Sequence, residues 1–304
     1  MIDKISDVTA FAPAKINLFL HITGRRHDGY HLLDSLFVFP ALYDRLEISA
    51  LGREAGENHV RLRIEGPMAQ ALAGEADQDN LVIRSIRRLQ DHLGINGSYD
   101  VRLIKNIPVA AGVGGGSADA AAALLACLKL WEHSIAADEL QALAQGLGAD
   151  VPPCLQNRPV RVAGIGEQIS PAGEAPPWGV ILANPRCPVP TPDVFLAYKQ
   201  AAGAFSPALP AGIEWQDLDW LARESRNDLY AAACGIAPAI GDLIAALATL
   251  PGARLARMSG SGATCFALFD DVAQALLARE ILQAKAPQWW SWAGGLCDDR
   301  GDHP

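Results

Sequence analysis

The sequence predicts an α+β protein of two domains, and three observations lead to this prediction. The chain has 304 residues, about twice the usual length of one domain. Segments with the period of a strand alternate along it with segments that have the period of a helix. Glycine and proline crowd together between positions 164 and 192, so we expect one domain at 1–165 and a second at 166–304. The tail 298–304 is expected to be disordered.

Composition and charge exclude several classes of protein. Hydrophobic residues make up 50% of the chain and charged residues 19%, which is ample material for a packed core. The formal net charge of −9 argues against nucleic acid or an anionic membrane as the main partner. No apolar run approaches the roughly 20 residues of a membrane span, and no secretion signal is recognisable. The six cysteines are far apart without a CxxC pair, so we expect reduced thiols in a cytoplasmic protein.

The first predicted elements are two strands, a helix and a third strand. Apolar and polar residues alternate in 44–50 and 59–66, which predicts two half-buried strands. A helix with one apolar stripe is predicted to follow Asn80 and to end at Gly94. Residues 99–103 alternate again, and this strand leads into a glycine-rich loop.

The loop at 108–118 predicts a phosphate-binding site. Four glycines occupy the five positions 112–116, so no β-carbon keeps a ligand from the backbone there. Glycine also allows the positive φ angles that turn successive N–H groups toward one point. An alanine-rich helix is expected to begin near Ser117, where its first N–H groups and its dipole would attract anions. An acidic protein could in this way bind a polyphosphate without a basic surface.

Other phosphate loops fit these residues less well. A Walker loop needs a lysine directly before its serine or threonine, but Gly116 precedes Ser117. The dinucleotide pattern needs a third glycine where this chain has Ser117. The HRD and DFG motifs of protein kinases do not occur in the sequence. From the residues alone, a flexible loop or a simple helix cap stays open as the alternative.

Further helices and strands are predicted after this loop. A helix at 138–147 is expected to close at Gly148, and Asp150 follows just before Val-Pro-Pro. The second half predicts a strand at 180–183, a helix with Pro238 near its start, a strand ending at Met258, an apolar run at 264–269, a helix from Val272 and a strand near Trp292.

Several stretches of the sequence are similar to the motifs of one enzyme family, the GHMP kinases, which include galactokinase, homoserine kinase, mevalonate kinase and phosphomevalonate kinase. The glycine loop resembles the family's second motif, PxxxGLGSSA, with Val113 where leucine is usual. Residues 12–18 and 23–31 resemble the first motif. Residues 148–152 resemble the segment with the catalytic aspartate, and 258–265 resemble the third motif. The motifs stand in the family's order and spacing.

The resemblance implies a GHMP-kinase-like α+β fold, with an N-terminal ATP-binding domain and the active site in the interdomain cleft. It implies transfer of the γ-phosphoryl group of ATP to a small molecule's hydroxyl, with Mg²⁺ expected and Ser117 as the one candidate ligand. The triple glycine followed by Ser-Ala-Asp, together with 28–31, resembles the branch that phosphorylates the 2-hydroxyl of a cytidine-diphosphate-linked methylerythritol in the non-mevalonate route to isoprenoids. A GHMP kinase for another alcohol and a non-catalytic ligand sensor stay open. The oligomeric state is not predicted.

The resemblance makes Lys15 and Asp150 the catalytic pair. Lys15 would stabilise the negative charge that develops on the incoming hydroxyl. Asp150 would accept the proton of that hydroxyl as general base. From the residues alone, Lys15 is more simply a strand-end lysine with its ammonium in water, and Asp150 is equally well a turn residue before proline.

The resemblance also implies the binding residues. Tyr30 and Phe195 would stack on cytosine, while His31 would hydrogen-bond the edge of the base. Asn17 would contact the erythritol part, although ordinary packing stays open for each of these side chains. The implied substrate contacts are Asn17, Tyr30, His31, Thr191 and Phe195. The implied ATP contacts are Asn80, which is also a plausible helix cap, and Pro108, Val109, Ala110, Ala111, Gly112, Val113, Gly114, Gly115, Gly116, Ser117 and Ala118.

Overall fold

A computed structural model gives the fold and describes residues 7–51, 58–73, 80–201 and 203–297. The predicted disorder of the tail 298–304 concerns residues outside these ranges. The described residues form twelve strands in three four-stranded sheets, together with nine α-helices and one 3₁₀ turn. None of the helices described is long and apolar enough to cross a membrane. The predicted α+β class is confirmed.

The elements follow in chain order. The strands are β1 (Asp7–Pro13), β2 (Ile16–Arg25), β3 (His31–Val38), β4 (Tyr43–Leu51), β5 (Val60–Glu65), β6 (Ser98–Ile104), β7 (Val160–Gly164), β8 (Gln168–Pro171), β9 (Gly179–Asn184), β10 (Leu255–Met258), β11 (Cys265–Phe269) and β12 (Trp290–Gly295). The helices are α1 (Leu81–Leu93), α2 (Gly115–Leu130), α3 (Ala137–Gln145), α4 (Val151–Cys154), α5 (Thr191–Gln200), α6 (Leu218–Glu224), α7 (Tyr230–Ile236), α8 (Ala239–Ala248) and α9 (Val272–Lys285).

The first sheet has the order β1-β4-β6-β5, with β5 parallel to β6 and the other pairs antiparallel. Helices α1 and α2 pack beside it around one apolar core. The Asn80 side chain caps α1 by accepting a hydrogen bond from the amide of Val82 at 2.9 Å, and Gly94 ends the helix in the left-handed region. The predicted strands β4, β5 and β6 and the predicted helix α1 are therefore confirmed.

The other two sheets have the orders β2-β3-β7-β8 and β10-β11-β9-β12. The sequence predicts no strand before residue 44, whereas β1, β2 and β3 lie there. The first seven residues of β2 are all buried, so this strand has no alternation of apolar and polar residues to reveal it. The predicted strand at 180–183 is confirmed as β9, and the apolar run noted at 264–269 forms β11.

Helix α2 begins two residues before the predicted start at Ser117. Gly114 takes the left-handed conformation with φ of 65°, and the chain enters the helix at Gly115. The amide of Ala118 already donates to the carbonyl of Gly114 at 2.9 Å. Glycine is a poor helix former, which misplaces the predicted start, but here the two glycines form the first turn of the helix.

The two halves of the chain share one apolar core. Ile16, Leu18 and Phe19 from β2 pack in the same cluster as Val180 from β9 and Phe266 from β11. The predicted boundary at 165/166 falls in the turn between β7 and β8, which pair with each other. The division into two domains at this point stays a prediction. The shared core packs residues from before the boundary against residues from after it.

Arg257 adds a polar connection between the halves. Its guanidinium is buried and donates to the carbonyl of Leu18 in β2 at 2.6 Å. It also donates to the carbonyls of Leu221 at 3.1 Å and Ser225 at 2.9 Å, which lie at the C-terminal end of α6. Burial lowers the pKa of Arg257 to about 10, so the group stays charged at neutral pH. A cation there suits the negative end of the helix dipole.

We expect Arg257→Met to lower the free energy of unfolding by about 2–4 kcal/mol, because it removes the buried hydrogen bonds that the guanidinium donates to these three carbonyls. Urea denaturation measures the change. Arg254→Met is the matched control, since Arg254 makes its ion pairs with Asp219 and Asp270 at the surface. It should change the stability little. Equal losses in the two variants would contradict the role given to Arg257.

Candidate active site

The predicted site residues surround one cleft of about 1170 Å³. The turn before β2, the glycine loop before α2 and the start of α5 form its walls. The predicted residues that line it are Lys15, Asn17, Tyr30, His31, Asn80, Pro108, Val109, Ala110, Ala111, Gly112, Gly114, Gly115, Gly116, Ser117, Asp150, Thr191 and Phe195. The structure thus brings together all but two of the predicted positions, and their individual roles stay predictions.

Val113 and Ala118 do not line this cleft. The Val113 side chain is buried in the shared core, and its carbonyl accepts a hydrogen bond from the amide of Lys15 at 2.9 Å. The Ala118 side chain lies on the core-facing side of α2, and its amide donates to the carbonyl of Gly114 within the helix. Both side chains therefore face the core and not the cleft. The sequence groups them with the ATP contacts because a position in the motif does not reveal which way a side chain points.

Lys15 is a buried ammonium at the floor of the cleft, with 4% of the residue exposed. Its Nζ atom lies 3.1 Å from Oδ2 of Asp150 and donates to Oδ1 of Asn17 at 3.0 Å. The same atom lies 4.4 Å from the centroid of the Phe37 ring, which adds a cation–π contact. The simpler interpretation of Lys15 as a lysine with its ammonium in water is therefore wrong.

Asp150 completes this pair from the opposite wall. It directly precedes the short helix α4, and two prolines at the start of that helix hold the backbone rigid. Its side chain is 41% exposed, so the carboxylate is open to the cleft while one oxygen faces Lys15. A hydroxyl entering the cleft can meet both a proton acceptor and a positive charge at this point.

Asn17 is held between Lys15 and two serines. Its side-chain amide donates to Oγ of Ser35 at 2.9 Å, and that hydroxyl donates to the carbonyl of Phe19 at 2.6 Å. The Asn17 backbone amide donates to Oγ of Ser259 at 3.2 Å. Asn17 thus orients the ammonium of Lys15, and its contact with substrate stays a prediction. Sequence analysis gives no role to Ser35 or to Ser259.

The glycine loop lies directly against the turn at 258–265. Gly112 has a φ of 76°, and a β-carbon there would stand 2.6 Å from the carbonyl oxygen of Gly262. Ser259 Oγ donates to the carbonyl of Gly112 at 3.0 Å, and the amide of Thr264 donates to that of Ala111 at 3.1 Å. These contacts fix the loop from outside, so it is not merely a flexible connection.

The start of α2 supplies the anion-binding groups of the cleft. Gly115, Gly116 and Ser117 line it and form the first turn of the helix, where backbone N–H groups have no carbonyl one turn earlier. Asn80 lies on the same side of the cleft. Its Oδ1 atom caps α1, so the predicted cap is confirmed, and its contact with adenine stays a prediction.

A buried charge cluster beneath the loop is missed by sequence analysis. Lys105, the first residue after β6, forms ion pairs with Asp44 and with Oδ2 of Asp119, the latter at 2.7 Å. Burial works against the charge on Lys105, but Asp119 and Asp44 together raise its pKa. Burial likewise raises the pKa of the Asp119 carboxyl, against the pull of Lys105. Asp119 stands in the Ser-Ala-Asp segment that carries the family resemblance, and that position could have suggested it.

Aromatic side chains gather at the far end of the cleft. The ring of His31 lies 5.3 Å from that of Phe195 at an angle of 30°, and 5.7 Å from that of Tyr198. Burial, followed by the charges of Arg25 and Lys199, lowers the pKa of His31, so the imidazole is neutral at pH 7 and can both donate and accept. Tyr30 is 65% exposed beside it, with an open ring face.

Thr191 stands at the first position of α5, one turn before Phe195. Its hydroxyl is hydrogen-bonded to that of Ser261 at 2.8 Å. This bond links the aromatic end of the cleft to the turn that supports the glycine loop. Ser261 also lines the cleft and is not among the predicted residues.

Comparisons with known proteins agree with this geometry. The family signature described as the GHMP kinases N terminal domain matches residues 80–158, and that of the GHMP kinases C terminal matches residues 207–288. The 4-diphosphocytidyl-2-C-methyl-D-erythritol kinase of Granulibacter bethesdensis is 48% identical over 291 residues, which cover 94% of each chain.

Solved structures give the same picture. The structure of a 4-(cytidine 5'-diphospho)-2C-methyl-D-erythritol kinase superposes with a TM-score of 0.77 at 34% identity, covering 95% of this chain and 99% of that one. Homoserine kinase from Cytophaga hutchinsonii superposes with a TM-score of 0.70 over 98% of this chain and 96% of its own. At 19% identity, the second comparison shows a common fold alone.

We expect Gly112→Ala to lower the free energy of unfolding by at least about 2 kcal/mol, because the methyl group meets a backbone oxygen and the positive φ disfavours alanine. Gly116→Ala is the control, since its β-carbon would meet no atom closer than 3.7 Å, and helical alanine should leave stability unchanged or raise it by about 0.5–1 kcal/mol. Urea denaturation compares the two variants. A stable Gly112→Ala protein would show that the loop can retreat from the turn.

Proposed function

The chain belongs to the 4-diphosphocytidyl-2-C-methyl-D-erythritol kinases within the GHMP kinase family, and from that membership we propose that it transfers the γ-phosphoryl group of ATP to the 2-hydroxyl of this cytidyl alcohol. The products would be ADP and the 2-phosphate, a step in the non-mevalonate formation of isoprenoid precursors. The observation that carries the proposal is the pair of Lys15 and Asp150, 3.1 Å apart in a cleft that has a phosphate loop at one end and aromatic rings at the other.

The geometry accounts for the chemical step. The substrate oxygen forms a bond to the γ-phosphorus, and the bond from that phosphorus to the bridging oxygen of ADP breaks. Asp150 takes the hydroxyl proton, while the Lys15 ammonium stabilises the negative charge on the attacking oxygen. Asn17 and the ring of Phe37 hold this ammonium in place, so little reorganisation is needed when charge develops.

The phosphate end of the cleft fits ATP. The first turn of α2 offers N–H groups and the positive end of a helix dipole to phosphate oxygens. We expect Mg²⁺ to accompany ATP and to neutralise charge on its phosphate oxygens. The residues described contain no cluster of three or more His, Cys, Asp or Glu side chains suited to a metal. We expect phosphate oxygens and water to supply much of the Mg²⁺ coordination, and Ser117, which lines the cleft, is the candidate protein ligand.

The aromatic end of the cleft fits a cytosine base. Phe195 and the open face of Tyr30 offer stacking surfaces, and the neutral imidazole of His31 can exchange hydrogen bonds with a base edge. A kinase for a small alcohol such as homoserine or mevalonate has no use for this region. A ligand sensor would have no use for the pairing of Lys15 with Asp150. Because the reaction consumes ATP, we place it in the cytoplasm.

The proposed substrate is tested by ADP release from Mg·ATP with the purified protein. Turnover is expected with 4-diphosphocytidyl-2-C-methyl-D-erythritol and not with homoserine, mevalonate or galactose. Turnover with one of the other alcohols would keep the kinase and remove the cytosine assignment. Clear ATP binding without turnover on any of them would favour a sensor.

We expect Asp150→Asn to lower kcat by at least about a hundredfold, because the hydroxyl loses its proton acceptor. The affinity for ADP, measured by calorimetry, should change little, since the glycine loop is untouched. Asp138→Asn is the control, because it removes one negative charge from the exposed first turn of α3. Near-normal turnover of Asp150→Asn would remove the assigned role.

A further inference from the structure

The buried cluster beneath the glycine loop holds one carboxylate oxygen that no group of the described residues satisfies. Asp44, Lys105 and Asp119 are each almost completely buried. Both oxygens of Asp44 have partners, since Lys105 binds Oδ2 while the amides of Asn106 and Ile107 donate to Oδ1. Asp119 accepts from Lys105 through Oδ2, but its Oδ1 has no hydrogen-bond partner among the described residues.

The unsatisfied Oδ1 of Asp119 beneath the glycine loop is suited to binding a cation. A buried carboxylate oxygen without a partner is costly, and native proteins rarely leave one. Two carboxylates share the single ammonium of Lys105, and both lie buried beneath the glycine loop. The arrangement becomes favourable when a cation enters together with the phosphates.

The position of Asp119 suits such a cation. Asp119 is the fifth residue of α2, and it lines the cleft although it is buried. Side chains in a helix lean toward its N-terminus, so this carboxylate lies over the first turn, which begins with Gly115. A β-carbon on Gly115 would stand 3.1 Å from Nζ of Lys105, so the glycine leaves room for the charged groups at that turn.

We propose that Asp119 is a protein ligand, through Oδ1, of the Mg²⁺ that enters with ATP. The inference rests on the proposed kinase function and adds a ligand to Ser117, the residue that the sequence suggests. Mg²⁺ in phosphate-transfer sites is commonly held by one or two carboxylates together with phosphate oxygens and water. Lys105 occupies Oδ2 and so leaves Oδ1 as the oxygen available to the metal.

The binding of ADP with and without Mg²⁺ tests this ligand independently of turnover. Calorimetry measures ADP affinity in excess Mg²⁺ and again in EDTA, for the wild type and for Asp119→Asn. In the variant, the gain in affinity from Mg²⁺ should fall about tenfold or more. Without metal, ADP should bind the variant about as well as the wild type, because the backbone N–H groups at the start of α2 are unchanged.

Asp44→Asn is the matched control, because it removes the other carboxylate on Lys105 but no unsatisfied oxygen. It should keep the Mg²⁺-dependent gain. An Asp119→Asn protein that also keeps this gain, or that loses affinity equally with and without metal, would overturn the proposal. If the wild type bound no ADP under either condition, the proposed kinase function would fail instead, so the two failures are distinguishable.

A measurement on the wild type covers the case in which Asp119→Asn does not fold. Protein labelled with ¹³C at its aspartate carboxyl groups is mixed with ADP and Mn²⁺, and pulsed electron paramagnetic resonance detects coupling between ¹³C and the metal. We expect a coupling of directly bound carboxylate, and we expect labelled Asp150→Asn to retain it. No coupling, or its loss in Asp150→Asn, would show that Asp119 is not the ligand.

Discussion

The buried ammonium of Lys15 is the constraint on which the rest of the cleft depends. A charge removed from water needs partners on every side, and Asp150, Asn17 and the Phe37 ring supply them. Gly114 gives the side chain its space, because a β-carbon there would stand 2.5 Å from Cγ of Lys15. The glycine loop and Lys15 therefore fix each other's positions, as the proposed transfer from a phosphate donor to a hydroxyl requires. A phosphoryl donor and its acceptor can meet only where both are held.

Local charge arrangement, rather than net charge, explains how an acidic chain can bind a polyphosphate. The first turn of α2 and the Lys15 ammonium act at short range in a partly buried cleft, where interactions are weakly screened. The formal charge of −9 describes the whole chain and does not decide the field inside this cleft. The cluster around Lys105 is local in the same way, since its two carboxylates lie buried close beneath the loop.

The sequence predicts the glycine loop between a strand and a helix well, because few backbone conformations fit closely spaced glycines that lead into a helix. Periodicity likewise predicts α1 and β4 to β6, which each have one buried face. It fails for β1 to β3, where β2 is buried on both faces. The start of α2 is misplaced because helix propensity does not anticipate glycines within a first turn.

The candidate site shows the same limit. Motif resemblance identifies Lys15 and Asp150, which the fold then brings to 3.1 Å. It cannot reveal Ser35, Lys105 or Ser259, because their roles arise from contacts between distant parts of the chain, as in the bond from Ser259 to Gly112. A sequence also does not show which way a side chain points. Val113 is therefore grouped with the predicted ATP contacts, although its side chain faces the core.

The core that both halves share has a consequence for synthesis on the ribosome. The strand β2 emerges early, but its partners in that core include β11, which ends at Phe269. At a translation rate of roughly 5–20 residues per second, the apolar side chains of β2 wait roughly 10–50 seconds for those partners. During this interval Lys15 also lacks Asp150, which is made well over a hundred residues later. A nascent chain therefore exposes a surface open to chaperones, and Asp150, the proposed partner of Lys15, is added only about halfway through synthesis.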